Sequence, residues 1–86
     1  MTGSNWMNWR TQAIVKAIGE AGKSLRSSEI AELTGLHYTA VGKYINWNMR
    51  NVWVQVTHEE TDPRNGHIIR YYGLTPQGAA KLEAMG

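Results

Sequence analysis

The spacing of apolar residues changes along the chain, and each change marks an element. Between residues 6 and 21, Met7, Ile14, Ile18 and Ala21 recur at helical spacing, with Ala17 and Trp9 beside the stripe. This predicts a first amphipathic helix that ends near Gly22, with Lys23 at the negative end of its dipole. Residues 24–26 are too few for a helix and predict a stub of strand. Residues 27–47, SSEIAELTGLHYTAVGKYINW, return to helical spacing. They predict two short helices, about 28–34 and 38–49, with Gly35 and Leu36 between them. Val52, Val54 and Val56 then alternate with Trp53, Gln55 and Thr57, the period of a half-buried strand. Residues 59–66, EETDPRNG, predict a turn-rich loop, and the β-branched and aromatic residues 68–72 a return strand. Thr75 caps a last helix with Pro76 at its first position, and Ala79, Ala80, Leu82 and Met85 give that helix an apolar side.

Residues 27–47 have the spacing of a helix-turn-helix. Ala31 is small enough for the second helix to pack over the first. Gly35 can take a left-handed conformation where the first helix ends. Val41 points back into the angle between the two, and Ile30, Leu33, Leu36 and Ile45 add apolar contacts. Ser27 is the expected N-cap, with Glu29 in the first turn, where the dipole favours negative charge. For the second of the two helices, His37 is a poor capping residue and Thr39 is the alternative. Tyr44 and Trp47 lie three apart, share a side and read as core or half-core.

Composition narrows the class. Eighty-six residues suit one domain with a single small core, and four Trp and four Tyr with no Phe must supply much of its buried area. The lack of cysteine excludes disulfides and thiolate metal sites. His37, His58 and His67 have no metal-ligand spacing, although His58 and His67 flank the hairpin loop and could face each other. No glycine-rich phosphate loop, nucleophilic cysteine or His-x-x-x-His is present, and Glu59 and Glu60 sit in a turn where they need not converge. The chain therefore reads as a non-enzyme without metal or cofactor. No apolar run approaches a membrane span and no signal peptide is visible, so a cytoplasmic, nucleoid-associated protein is expected. The net charge of +2 matters less than its distribution. No carboxylate occurs between Glu32 and Glu59, a window that holds His37, Lys43 and Arg50. Such a face does not repel phosphate.

The order helix, stub strand, helix, helix, strand, loop, strand, helix resembles the winged helix-turn-helix superfamily, and in particular small bacterial or phage regulators of the MarR-like or ArsR-like kind. The likeness covers about residues 10–82. It is carried by SSEIAELTGLHYTAVGKYI, by the hairpin, and by YYGLTPQG at residues 71–78, which looks like the Y-x-L-T-x-x-G junction that often ends the wing strand. The resemblance implies an α+β fold: a three-helix core, a two-stranded β-hairpin wing over 52–73 and a C-terminal helix over 75–85, all in one domain.

It also implies that the exposed face of helix 38–49 enters the major groove of double-stranded DNA through Tyr38, Thr39, Gly42, Lys43 and Asn46. The chemistry suits that role. Lys43 can donate to guanine or phosphate, Asn46 can pair with adenine, and Thr39 can serve a phosphate or a thymine methyl. His37 and Tyr38 start the helix, where phosphate is favoured, and Arg50 follows it. Gly42 either lets the backbone approach the groove or makes room for a neighbouring helix. Ser27 and Ser28 are caps or phosphate ligands. Arg64 at the wing tip can reach a minor groove, but Glu59, Glu60 and Asp62 would oppose it unless they turn away or pair with Arg64, Arg70 or His67. The expected function is sequence-specific DNA binding by a small transcriptional regulator. A homodimer through the first helix (Trp6 or Trp9) and the last helix would read two half-sites, although the same two Trp serve equally to close the monomer core. A winged-helix module for protein partners, or a replication or packaging accessory, is the alternative.

Overall fold

Ile14, Val15 and Ile18 are buried along one side of the first helix, α1, Trp9–Ala21. The computed structural model describes residues 9–85. Trp6 and Met7, and the side chain of Met85, lie outside the described residues. After α1 come a short strand β1, Leu25–Arg26, a helix α2, Ser27–Thr34, and a helix α3, Tyr38–Tyr44. Ile30 from α2 and Val41 from α3 are fully buried against Ile14, Val15 and Ile18, together with Ile45. That cluster sets the angle of the helix-turn-helix. Gly35 adopts φ 78°, and its N–H donates to the Ala31 carbonyl at 2.9 Å. The Thr34 hydroxyl donates to the Ile30 carbonyl at 2.8 Å and accepts from the Leu36 N–H at 3.2 Å, so one side chain spans the turn. Leu33, predicted to join this contact, is exposed. It borders a shallow groove on the outer side of α1 beside Ala13, Lys16 and Ala17.

The predicted Ser27 cap is corrected, and the open choice at α3 is resolved. Arg26, held extended as part of β1, occupies the N-cap of α2, and Ser27 is its first residue. The Glu29 carboxylate accepts from the Arg26 N–H at 3.0 Å. At α3 the cap is His37, not Thr39: its Nδ1 accepts from the Thr39 N–H at 3.2 Å. Nδ1 lies as many bonds from the backbone as an Asn side-chain oxygen, so a neutral imidazole with a free Nδ1 lone pair can do the same work.

The predicted helix 38–49 is α-helical only to Tyr44. Residues Ile45–Met49 form a π-helical turn closed by the Arg50 N–H on the Ile45 carbonyl at 2.8 Å. Asn51 then takes φ 66° and donates to the Val54 carbonyl at 2.7 Å. Val52 therefore lies in a turn rather than a strand. The strands are β2, Val54–Thr61, and β3, Ile68–Leu74, and β1 joins them to give an antiparallel sheet of order β1-β3-β2.

Pairing runs from Val54↔Leu74 to Thr61↔Ile68, so Glu59 and Glu60 belong to the ladder rather than to the predicted loop. Glu59 faces Arg70 directly across it, an opposite-charge pair that favours continued pairing. The register slips between Val56 and His58, leaving Thr57 as the extra residue of a bulge. The Thr57 hydroxyl donates to Ser24 Oγ at 2.6 Å and ties the wing to the approach of β1.

The YYGLTPQG stretch is a structural junction. Tyr72 is a core residue and Leu74 packs against the core. Thr75 Oγ1 donates to the Val52 carbonyl and accepts from the Gly78 N–H at 3.0 Å, capping α4, Pro76–Met85. A Cβ on Gly78 would collide with the Trp53 carbonyl, so only glycine lets α4 start this close to the chain before β2. Ala79 and Ala80, predicted on the apolar side of α4, are exposed. Leu82, predicted on the same side, does pack on Gly19 of α1, and the Lys81 ammonium lies 5.4 Å from the Trp53 ring centroid. Among the described residues no helix is long and apolar enough to cross a membrane.

Candidate nucleic-acid interface

With Val41 and Ile45 turned inward, α3 presents its other side to solvent. Tyr38, Thr39, Lys43 and Asn46 are exposed and Gly42 is half-buried. Four-residue spacing divides them into two adjoining rows. Tyr38, Gly42 and Asn46 line a cleft of about 400 Å³ between α3 and the wing. Thr39 and Lys43 form the neighbouring row. Asp62, Asn65, His67 and Arg70 from the wing line the cleft too, together with Arg26, Ser27 and Ser28. A Cβ added to Gly42 meets nothing within 4 Å. The glycine therefore makes no room for another helix, and its backbone is accessible from the cleft. The Tyr38 ring is exposed and stacks on the His37 ring at a centroid distance of 5.1 Å.

Lys43, Asn46 and Arg50 make no ion pair or side-chain hydrogen bond among the described residues. Arg50 is exposed just after the π-helical turn. Within the window without carboxylates the side chains of Lys43, Asn46 and Arg50 are thus available, while the Thr39 hydroxyl lies 2.8 Å from His37 Nδ1.

The wing is different, because its carboxylates have partners. Glu59 accepts from Arg70 Nε at 2.9 Å. Glu60 meets His58 Nε2 at 3.2 Å and the Tyr71 hydroxyl at 3.2 Å. Asp62 accepts the Arg64 N–H at 2.9 Å and its guanidinium at 3.3 and 3.4 Å. Those bonds from Arg64, backbone first and then side chain, hold the Asp62 carboxyl below its ordinary pKa, with Arg26 and His67 adding attraction. Arg64 itself stays outside, 85% exposed against 10% for Asp62. Of the pairings the sequence allowed, those with Arg64 and Arg70 form, while Glu60 takes His58 instead of His67. His58 and His67 do not face each other: His58 stands opposite Tyr71. No group of three metal-ligating side chains exists among the described residues.

The place of Arg26 and the exposure of Trp47, both near these surfaces, were not predicted from the sequence. Arg26 reaches the cleft only because β1 pairs with β3, opposite Tyr71, a long-range contact with no local signal. Trp47, read as core or half-core, is 72% exposed. The start of the π-helical turn at Ile45 was not legible in the residue spacing. Trp9 is also exposed, so it does not close the monomer core.

A helix-turn-helix packed on a third helix, with a hairpin beside its second helix, defines a winged helix. The solved structure of the S. aureus MepR–DNA complex is similar, with a TM-score of 0.59 over 94% of this chain at 18% sequence identity. This chain spans 56% of the length of that one. No protein-family model matches the sequence, and no curated protein does.

Proposed function

We propose that the chain binds double-stranded DNA at specific sites, with α3 in the major groove and the wing against the adjoining backbone, and acts as a small transcriptional regulator. One observation carries this reading: the exposed side of α3 and of the π-helical turn that continues it presents Thr39, Lys43 and Asn46, no carboxylate occurs from residue 33 to 58, and Lys43 and Asn46 are unpaired among the described residues. The similar fold in a protein–DNA complex supports it. Lys43 reaches guanine or phosphate, Asn46 reads adenine, Thr39 and Tyr38 serve phosphate, and Gly42 lets the backbone come close. The capping bond leaves His37 Nε2 as the ring nitrogen that can donate to phosphate. Arg50 supplies charge at the far end. Arg26, which lines the cleft, adds a further cation.

The dimer reading uses α1. Trp9, 60% exposed, lines a groove with Ala13, Lys16 and Leu82, and exposed Leu33 lines a second groove on the same helix. A second copy covering this face would place two α3 helices on successive half-sites.

The test is selection of bound duplex from a random pool, followed by affinity at two salt concentrations and mass measurement in solution. An enriched motif bound at least about 10³-fold more tightly than random duplex is expected, with affinity falling as salt rises. A two-fold symmetric motif together with a dimer mass supports the paired reading. Salt-dependent binding without enrichment rejects the site-specific regulator and leaves an architectural role. Absence of binding at both salts rejects DNA as the ligand.

A further inference from the structure

We propose that Trp47 is a specificity-determining residue that reads a thymine through its C5-methyl group, a reading that rests on the double-stranded DNA binding proposed above. Among the described residues Trp47 is the most exposed large apolar side chain. Its position follows from the backbone. Trp47 stands four residues beyond Lys43 and so continues the row of Thr39 and Lys43, which in a continued α-helix drifts by about 40° around the axis at each step. The turn Ile45–Met49 is wider, closed by a bond from residue 50 back to residue 45, so each of its residues rotates less. Trp47 therefore stays nearer the Thr39–Lys43 row. The inward directions nearby are taken by fully buried Val41 and Ile45, and Tyr44 is half-buried. No core site is left for the indole on this part of the helix.

The chemistry around Trp47 narrows what it meets. No carboxylate lies within ten residues of it on either side, and exposed Lys43 and Arg50 flank it in the chain. Those cations would hold the ring against a polyanion. The major groove displays hydrogen-bonding edges and one apolar feature, the thymine methyl. An indole carried into that groove loses water from its ring only against this methyl, while its N–H can donate to a neighbouring acceptor.

The experiment uses the duplex obtained by selection and replaces each thymine in turn with deoxyuridine, which removes the methyl and nothing else. Wild-type protein is expected to lose affinity about fourfold at one such position, the value of one buried methyl group. Trp47→Ala should bind more weakly, lose the response at that position and keep any other methyl responses. Trp47→Phe, which keeps an apolar ring, should retain part of it. Cooperative melting of both variants, expected for an exposed position, shows that the fold is intact.

Wild-type affinity and an unchanged methyl profile in Trp47→Ala overturn the proposal while DNA binding stands. Weaker binding with every methyl response intact overturns it too, since the ring then serves only the backbone. If the wild-type protein binds no duplex at either salt, the underlying DNA reading fails as well, and Trp47 belongs to a protein contact.

Discussion

The exposed side of α3 and the wing both offer charge to a partner, but they hold it differently. On α3, Lys43 stands without a carboxylate partner among the described residues. On the wing, Arg70 is bonded to Glu59 and Arg64 to Asp62. A cation that is already paired must give up a partner, or bring a negative charge with it, before it neutralises a phosphate. An unpaired one releases counterions at once. The two surfaces border one cleft, so a ligand in it would meet both. On the proposed DNA reading the contrast ranks them: α3 would supply affinity and readout, and the wing would supply position with little net charge.

The hardest test of this ranking is on the buried side of α3. Val41→Asp puts an unpaired carboxylate among Ile14, Ile30 and Ile45, a penalty of several kcal/mol that should abolish cooperative thermal unfolding. A wild-type melting curve for this variant would remove the geometry on which the contrast rests. Next in size, Lys43→Ala should weaken DNA binding on the order of tenfold and reduce the salt slope by about one. Asp62→Asn keeps an oxygen for the Arg64 N–H but takes away the charge that holds the guanidinium, so DNA binding should tighten about threefold and the salt slope should steepen. Weaker binding by that variant would mean that the Asp62–Arg64 pair shapes the wing for DNA.

The same carboxylate predicts a pH response. Its folded-state pKa lies below the ordinary value, so the stabilisation is complete above the unfolded carboxyl pKa of about 3.9 and fades as pH falls through the depressed folded value. Backbone amide shifts of Arg64, followed by NMR titration, should stay constant above that range and move only in acid. The smallest change separates two properties of one residue. Gly42→Ala should stabilise the helix by about 1 kcal/mol, because the added methyl meets open space. It should also weaken DNA binding if the backbone approaches the groove there. Stabilisation with unaltered affinity would take Gly42 out of the contact surface.

Local patterns in the chain carried much of the architecture. The α1 stripe, Gly35 in the turn, buried Val41 and the Thr75-Pro76 start of α4 are all short-range choices, made by side-chain period, by left-handed backbone or by capping chemistry. The carboxylate-free window was equally plain, because charge is read from composition. Other features needed the folded chain. Glu59 and Glu60 look like loop residues until Arg70, His58 and Tyr71 are beside them, and the strand then extends to Thr61. Arg26 borders the cleft only through its pairing with Tyr71, 45 positions further along the chain.

Tyr44 and Trp47 show the same division within a few residues. Three-residue spacing places them on one side of an ideal helix, yet Tyr44 is half-buried and Trp47 is in solvent. The helix turn at residue 45 has to satisfy both the packing of Ile45 and the reversal through Asn51 into β2, and the wider turn meets both demands. Short-range pattern thus settled which segments are helix or strand and where acidic charge is missing. Long-range packing settled which side chains remain outside and which charges are already paired, because both depend on neighbours that only the closed fold supplies.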